Sequence, residues 1–187
     1  LFPYTTLFRS GGLECAHILS KAGKRVLVLE KEAQPGGCVQ SYRRNGLTFD
    51  TGFHYVGGLE EGQFLHAAFS MLGLMALPWK KLDDAFDRIL IGEEEFSFMQ
   101  GYENFRENLQ QHFPHEREAL QQYVQLLKQT EQTQLELLNP ESASAPLSLF
   151  ETGAWQYLTH TFHNSMLINV LSATSLKMEL RKETLPL

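Results

Sequence analysis

The chain has 187 residues, a formal net charge of −6 and a hydrophobic content of 43%. That length suits one domain and part of another, and the negative charge without a basic run argues against a nucleic-acid partner. Cys15 and Cys38, the two cysteines, give no metal-ligand spacing and no disulfide framework; with no apolar run of spanning length, a reduced, cytoplasmic setting is expected.

Leu1 to Ser10 stands apart. Leu-Phe-Pro-Tyr-Thr-Thr-Leu-Phe-Arg-Ser is the codon-by-codon translation of a sequencing adapter, and Pro3 falls where a strand would run, which sheets disfavour. Residues 1–10 therefore read as a non-native scar. From Gly12 to Ala22 the residues Leu13, Cys15, Ala16, Ile18, Leu19 and Ala22 recur at helical spacing. Gly12 and Ala16 are four apart, so two small residues share the face that would pack on a sheet. Gly23 is a natural stop, and Lys21, Lys24 and Arg25 put positive charge at the negative helix end. Val26 to Leu29 reads as a buried parallel strand, and Glu30 follows it directly, with Lys31 next. A glycine-led helix, a strand and a terminal acid make the second half of a dinucleotide-binding βαβ unit. In that unit Gly11 and Gly12 open the helix towards a pyrophosphate, and Glu30 accepts hydrogen bonds from a ribose diol. The competing reading is an ordinary helix–strand pair with a surface Glu. If Gly12 is the third glycine of Gly-x-Gly-x-x-Gly, the first two fall on Leu7 and Arg9. Side chains there obstruct the tight turn, so the first strand and its turn are expected to be lost.

Pro35-Gly36-Gly37 is a turn whose glycines would let the backbone pass close to a cofactor. Cys38 reads as a small packing residue. Val39–Tyr42 and Leu47–Phe49 flank Asn45-Gly46, a strong hairpin signal. Asp50-Thr51-Gly52 then returns an acid and a glycine towards the same place, followed by His54 and Tyr55, which read as structural.

Glu30, Gly36-Gly37 and Gly46-x-x-Phe49-Asp50-x-Gly52 occur in that order. Over Gly11 to Gly58 the chain resembles the flavin-dependent oxidoreductases that include phytoene desaturases, carotenoid isomerases and retinol saturases, with amine oxidases as more distant relatives. The resemblance implies an α/β fold: a Rossmann-like FAD-binding domain of the GR2-type flavoprotein kind over 11–86, then part of a helix-rich substrate domain over 87–187. It implies FAD held by Gly11, Gly12, Glu30, Lys31, Gly36, Gly37 and Gly52, with NAD(P) as a candidate electron partner. It also implies a hydrophobic polyene substrate and peripheral membrane contact. A later stretch that completes the flavin site in that family is expected to be missing, so the chain reads as a fragment. No acid, base or nucleophile stands out as catalytic, which suits chemistry carried by a cofactor. An amine oxidase-like flavoenzyme and a non-catalytic module remain alternatives.

Beyond the motifs, Phe64–Leu77 is apolar on most faces and reads as a buried helix ending before Pro78, either core or the wall of a substrate tunnel. Arg88–Ile91 and Phe96–Met99 suggest a hairpin around Gly92–Glu95. Helices are expected over Tyr102–Phe113, His115–Leu138 with a weakening near Gln129–Gln134, Trp155–Phe162 and Ser165–Met178, with a loop at Asn139–Pro146.

Overall fold

The computed structural model describes residues 4–7, 10–52, 54–137 and 153–173. The chain divides into two compact units, Leu1–Trp79 and Lys80–Leu187.

The first unit opens with strand β1 (Tyr4–Leu7), helix α1 (Ser10–Lys21) and strand β2 (Val26–Leu29). β1 and β2 pair in parallel, Tyr4 against Val26 through Leu7 against Leu29. The expectation of a lost first strand is corrected here: Tyr4–Leu7 occupies that place. The cause is local, since Tyr and Thr favour pleated backbone and β2 offers an unpaired edge. α1 begins two residues before Gly12, and Ala16 is its buried residue. Cys15, Leu13 and Ile18, expected on the apolar face, are exposed. The helix closes through Gly23, whose φ of +72° lets Lys24 N–H reach the Leu19 carbonyl at 3.0 Å.

A short 3₁₀ turn (Gly37–Val39) leads to an antiparallel hairpin, β3 (Ser41–Arg44) and β4 (Leu47–Asp50). Asn45 and Gly46 both have positive φ, +52° and +78°, the type I′ geometry that matches strand twist. Tyr42 and Phe49 face each other across it with rings stacked 5.2 Å apart.

Helix α2 (Phe64–Leu72) is shorter than the apolar run that encodes it. Gly73 adopts φ +78° and ends it, and the run continues as a 3₁₀ turn over Leu74–Ala76. The buried-helix expectation is likewise corrected: α2 holds no fully buried residue.

The second unit is a hairpin packed by helices. Strands β5 (Ala85–Ile91) and β6 (Glu94–Met99) turn at Gly92-Glu93, so Glu94 and Glu95 belong to the ladder rather than the turn. Phe96 and Phe98 alternate inward on β6. Helices α3 (Tyr102–His112), α4 (Arg117–Leu137), α5 (Ala154–Thr161) and α6 (Ser165–Ser172) follow. Leu109, Leu120, Val124, Phe162, Leu167 and Val170 are its most deeply buried side chains. Phe96 stacks on Phe113 at 5.5 Å, and Phe98 meets Phe105 edge-on at 5.3 Å. α4 runs through the Gln-rich stretch without a break. The expected loop at Asn139–Pro146, and the stretch beyond Ala173 over which the last helix was expected to run to Met178, lie outside the described residues.

Two polar anchors support this core. The buried Glu116 carboxylate accepts from His163 N–H and Asn164 N–H at 2.9 and 2.5 Å. Asn164 then caps α6, its side chain accepting from Met166 and Leu167 N–H. Across α3 and α4, Tyr102 donates to Glu131 at 2.7 Å and Lys128 to Glu103 at 2.9 Å.

Tyr123 packs against Phe105, Tyr157 and Phe162. Burial, then the neighbouring Tyr157, pushes its phenol up to about 12. The unfolded phenol ionises near pH 10. The folded state therefore binds this proton more tightly, and its contribution, full below pH 10, is lost as pH rises towards 12. Tyr123→Phe is expected to extend the alkaline limit of the fold. Circular dichroism from pH 9 to 12.5 tests this, and coincident curves for the two proteins would refute it.

Candidate nucleotide site

The parallel β1–α1–β2 unit places the carboxyl ends of its strands and the amino end of α1 at one edge, where dinucleotides bind in such sheets. The amino end of α1 carries the positive end of the helix dipole. Gly11 lies exposed there with no atom near the place of a Cβ, and Gly12 is half-buried.

Glu30 directly follows the last residue of β2 and is exposed. Its Oε1 accepts from Glu32 N–H at 2.8 Å, which orients the carboxylate. Lys31 is exposed next to it.

The glycine turn has a specific geometry. Gly36 has φ +117°, and a Cβ there would sit 3.3 Å from Gln40 N, Cα and Cβ. Gly37 has φ +55°. Val39 N–H donates to the Gly36 carbonyl at 3.0 Å, and α1 packs beside the Gly37–Val39 turn. The Gln40 carbonyl accepts twice from Thr51, from N–H at 3.3 Å and from Oγ1 at 2.7 Å. Gln34 Nε2 also donates to the Ser41 carbonyl at 2.6 Å. These bonds tie Thr51 to Gln40, the residue that a Cβ at Gly36 would press against. Thr51, Gln40 and Gln34 were not legible beforehand, because their bonds run to backbone carbonyls and depend on strand register.

Residues 10–70 match the model of the NAD(P)-binding Rossmann-like domain. The chain is 38% identical over 122 residues to the all-trans-retinol 13,14-reductase of Homo sapiens, an alignment covering 63% of this chain and 20% of the relative. It is 30% identical over 115 residues to prolycopene isomerase 2 of an Oncidium hybrid cultivar, covering 60% and 20%. The chain is homologous to both. It is also 30% identical over 122 residues to a Danio rerio protein named as an inactive all-trans-retinol 13,14-reductase, covering 63% and 20%. The aligned part thus spans about a fifth of the length of these relatives. No solved structure matches the chain.

In the sequence, Leu7 and Arg9 stand at the positions that the glycine pattern keeps free of side chains, which argues against a pyrophosphate-binding turn there. Among the described residues no His, Cys, Asp or Glu cluster could hold a metal, and no helix is long and apolar enough to cross a membrane.

Proposed function

We propose that this chain forms the adenosine-side portion of an FAD site in an oxidoreductase acting on a hydrophobic polyene, a carotenoid or retinoid. The observation that carries the reading is Glu30, oriented at the carboxyl end of β2 within a parallel β1–α1–β2 unit. The homology to a retinol reductase and a prolycopene isomerase supports the substrate class. A bound flavin would supply hydride transfer or reduced-flavin assistance at a double bond. The chain's own residues would hold it: α1 N–H groups towards the pyrophosphate, Glu30 on the ribose diol, and Gly36, Gly37 and Gly52 where backbone passes close. NAD(P) is the electron partner in this reading.

A second reading has its own support. Leu7 and Arg9 spoil the phosphate turn, and an inactive-named relative matches over a similar length. The chain alone would then be a non-catalytic module.

The test titrates FAD and NAD into the Leu7→Gly/Arg9→Gly chain, with and without Glu30→Ala. FAD is expected to bind, and Glu30→Ala to weaken it by about 1–3 kcal/mol, the usual cost of stranding hydrogen-bonded groups. Binding of NAD with no binding of FAD would move the reading to a nicotinamide dehydrogenase. Equal FAD affinity with and without Glu30→Ala would remove Glu30 from the site.

A further inference from the structure

Gly36 and Gly37 have wide conformational freedom, so a turn of defined shape there needs neighbours that hold it. Two side chains from outside the turn close on the residues that follow it. Thr51 comes directly after β4, whose last ladder pair is Asp50 with Ser41. Thr51 N–H reaches the Gln40 carbonyl at 3.3 Å and extends that ladder by one position. Thr51 Oγ1 adds a second bond to the same carbonyl at 2.7 Å. From the other side, Gln34 Nε2 donates to the Ser41 carbonyl at 2.6 Å and closes the loop from 34 to 41. Gln40 in turn meets the glycines. Its N–H donates to the Gly37 carbonyl at 3.4 Å, and its N, Cα and Cβ lie 3.3 Å from where a Gly36 Cβ would stand.

β-propensity accounts for a threonine at the end of a strand, and exposure accounts for a glutamine at position 34. Neither accounts for two side chains, one on each side of the turn, donating into the consecutive carbonyls of Gln40 and Ser41. A ladder bond can be made by almost any residue; the Oγ1 and Nε2 bonds need these side chains.

We propose that Thr51 and Gln34 are positioning residues, which fix the Gly36-Gly37 turn through the carbonyls of Gln40 and Ser41. Neither has to touch a nucleotide to act on its binding. The effect on binding rests on the flavin reading of that turn; the effect on the turn itself does not.

The experiment has two readouts. The first is hydrogen exchange of Val39 N–H, which bonds the Gly36 carbonyl at 3.0 Å, followed by NMR in the chain without nucleotide. The second is FAD titration of the Leu7→Gly/Arg9→Gly chain. Thr51→Val keeps the side-chain shape and removes the donor, Thr51→Ser keeps the donor, and Gln34→Ala opens the 34–41 closure. Thr51→Val and Gln34→Ala are each expected to speed Val39 exchange by about two- to tenfold and to weaken FAD by a similar factor, the net worth of one hydrogen bond. Thr51→Ser is expected to stay near the parent in both. Thr51 and Gln34 are exposed, and circular dichroism checks that each variant is folded; Gln34→Ala decides if Thr51→Val is not. Unchanged Val39 exchange in the two variants, Thr51→Ser behaving as Thr51→Val does, or faster exchange with unchanged FAD affinity overturns the proposal. If the Leu7→Gly/Arg9→Gly chain binds no FAD, the flavin reading falls, and Val39 exchange alone decides whether these side chains hold the turn.

Discussion

A Leu7→Gly/Arg9→Gly chain is expected to bind FAD on the order of 100-fold more tightly than the chain carrying Leu7 and Arg9. β1 ends at Leu7 and α1 begins at Ser10, so the link between them is the length that a phosphate-binding turn uses. What it lacks is freedom from side chains. Glycine at the strand end permits the tight turn, and glycine two residues later lets backbone N–H groups approach the pyrophosphate. Each hydrogen bond to a charged group contributes about 1.5–3 kcal/mol, so recovering even one or two gives a factor of this size. Gel filtration followed by flavin absorbance reads the result. The unmodified chain should elute colourless, and stoichiometric FAD on it would show that side chains at 7 and 9 do not block the turn.

Phe162→Ala should destabilise the second unit by about 3–5 kcal/mol, the range for removing a buried aromatic ring. Phe162 is 1% exposed and meets Tyr123 edge-on at 5.9 Å. It also immediately precedes His163 and Asn164, whose N–H groups the Glu116 carboxylate holds. Loss of the ring thus leaves a cavity beside the link that sets the start of α6. For a unit of this size the melting temperature should fall by roughly 15–25 °C. Phe162→Leu retains most of the volume and should fall less. A melting curve for Phe162→Ala within a few degrees of the parent would mean that neighbouring side chains collapse into the space.

The parts of the fold that were legible are those with a local cause. Val26–Leu29 is a strand at those residues, as a β-branched and aliphatic run between Arg25 and Glu30 suggests, but the expected burial is corrected: Leu27 and Leu29 are exposed and Val26 and Val28 only half-buried. Asn45-Gly46 set its hairpin because both residues tolerate positive φ. Where two signals competed, the reading went astray. The apolar run to Leu77 masked the stop at Gly73, and Pro78 looked like the terminator. Low apolar content around Gln129–Gln134 suggested fraying, yet Gln is a good helix former and α4 continues. Tyr4–Leu7 read as foreign sequence, yet paired, because Tyr and Thr favour pleated backbone and lie beside the edge of β2. In the candidate site, the glycines and Glu30 were visible as residue types in order. The Thr51–Gln40 bonds were not, since they exist only once β3 and β4 are in register.

Each sheet among the described residues joins strands that are consecutive in the chain: β1 with β2, β3 with β4, β5 with β6. This bears on how the polypeptide assembles as it leaves the ribosome. Hairpins close in about 1–10 μs, whereas synthesis adds roughly 5–20 residues each second. Either hairpin can close long before the next element is translated, and the parallel pair needs only α1 between its strands. Strand pairing can therefore follow the order of translation, each open edge finding its own neighbour before a later strand can compete for it.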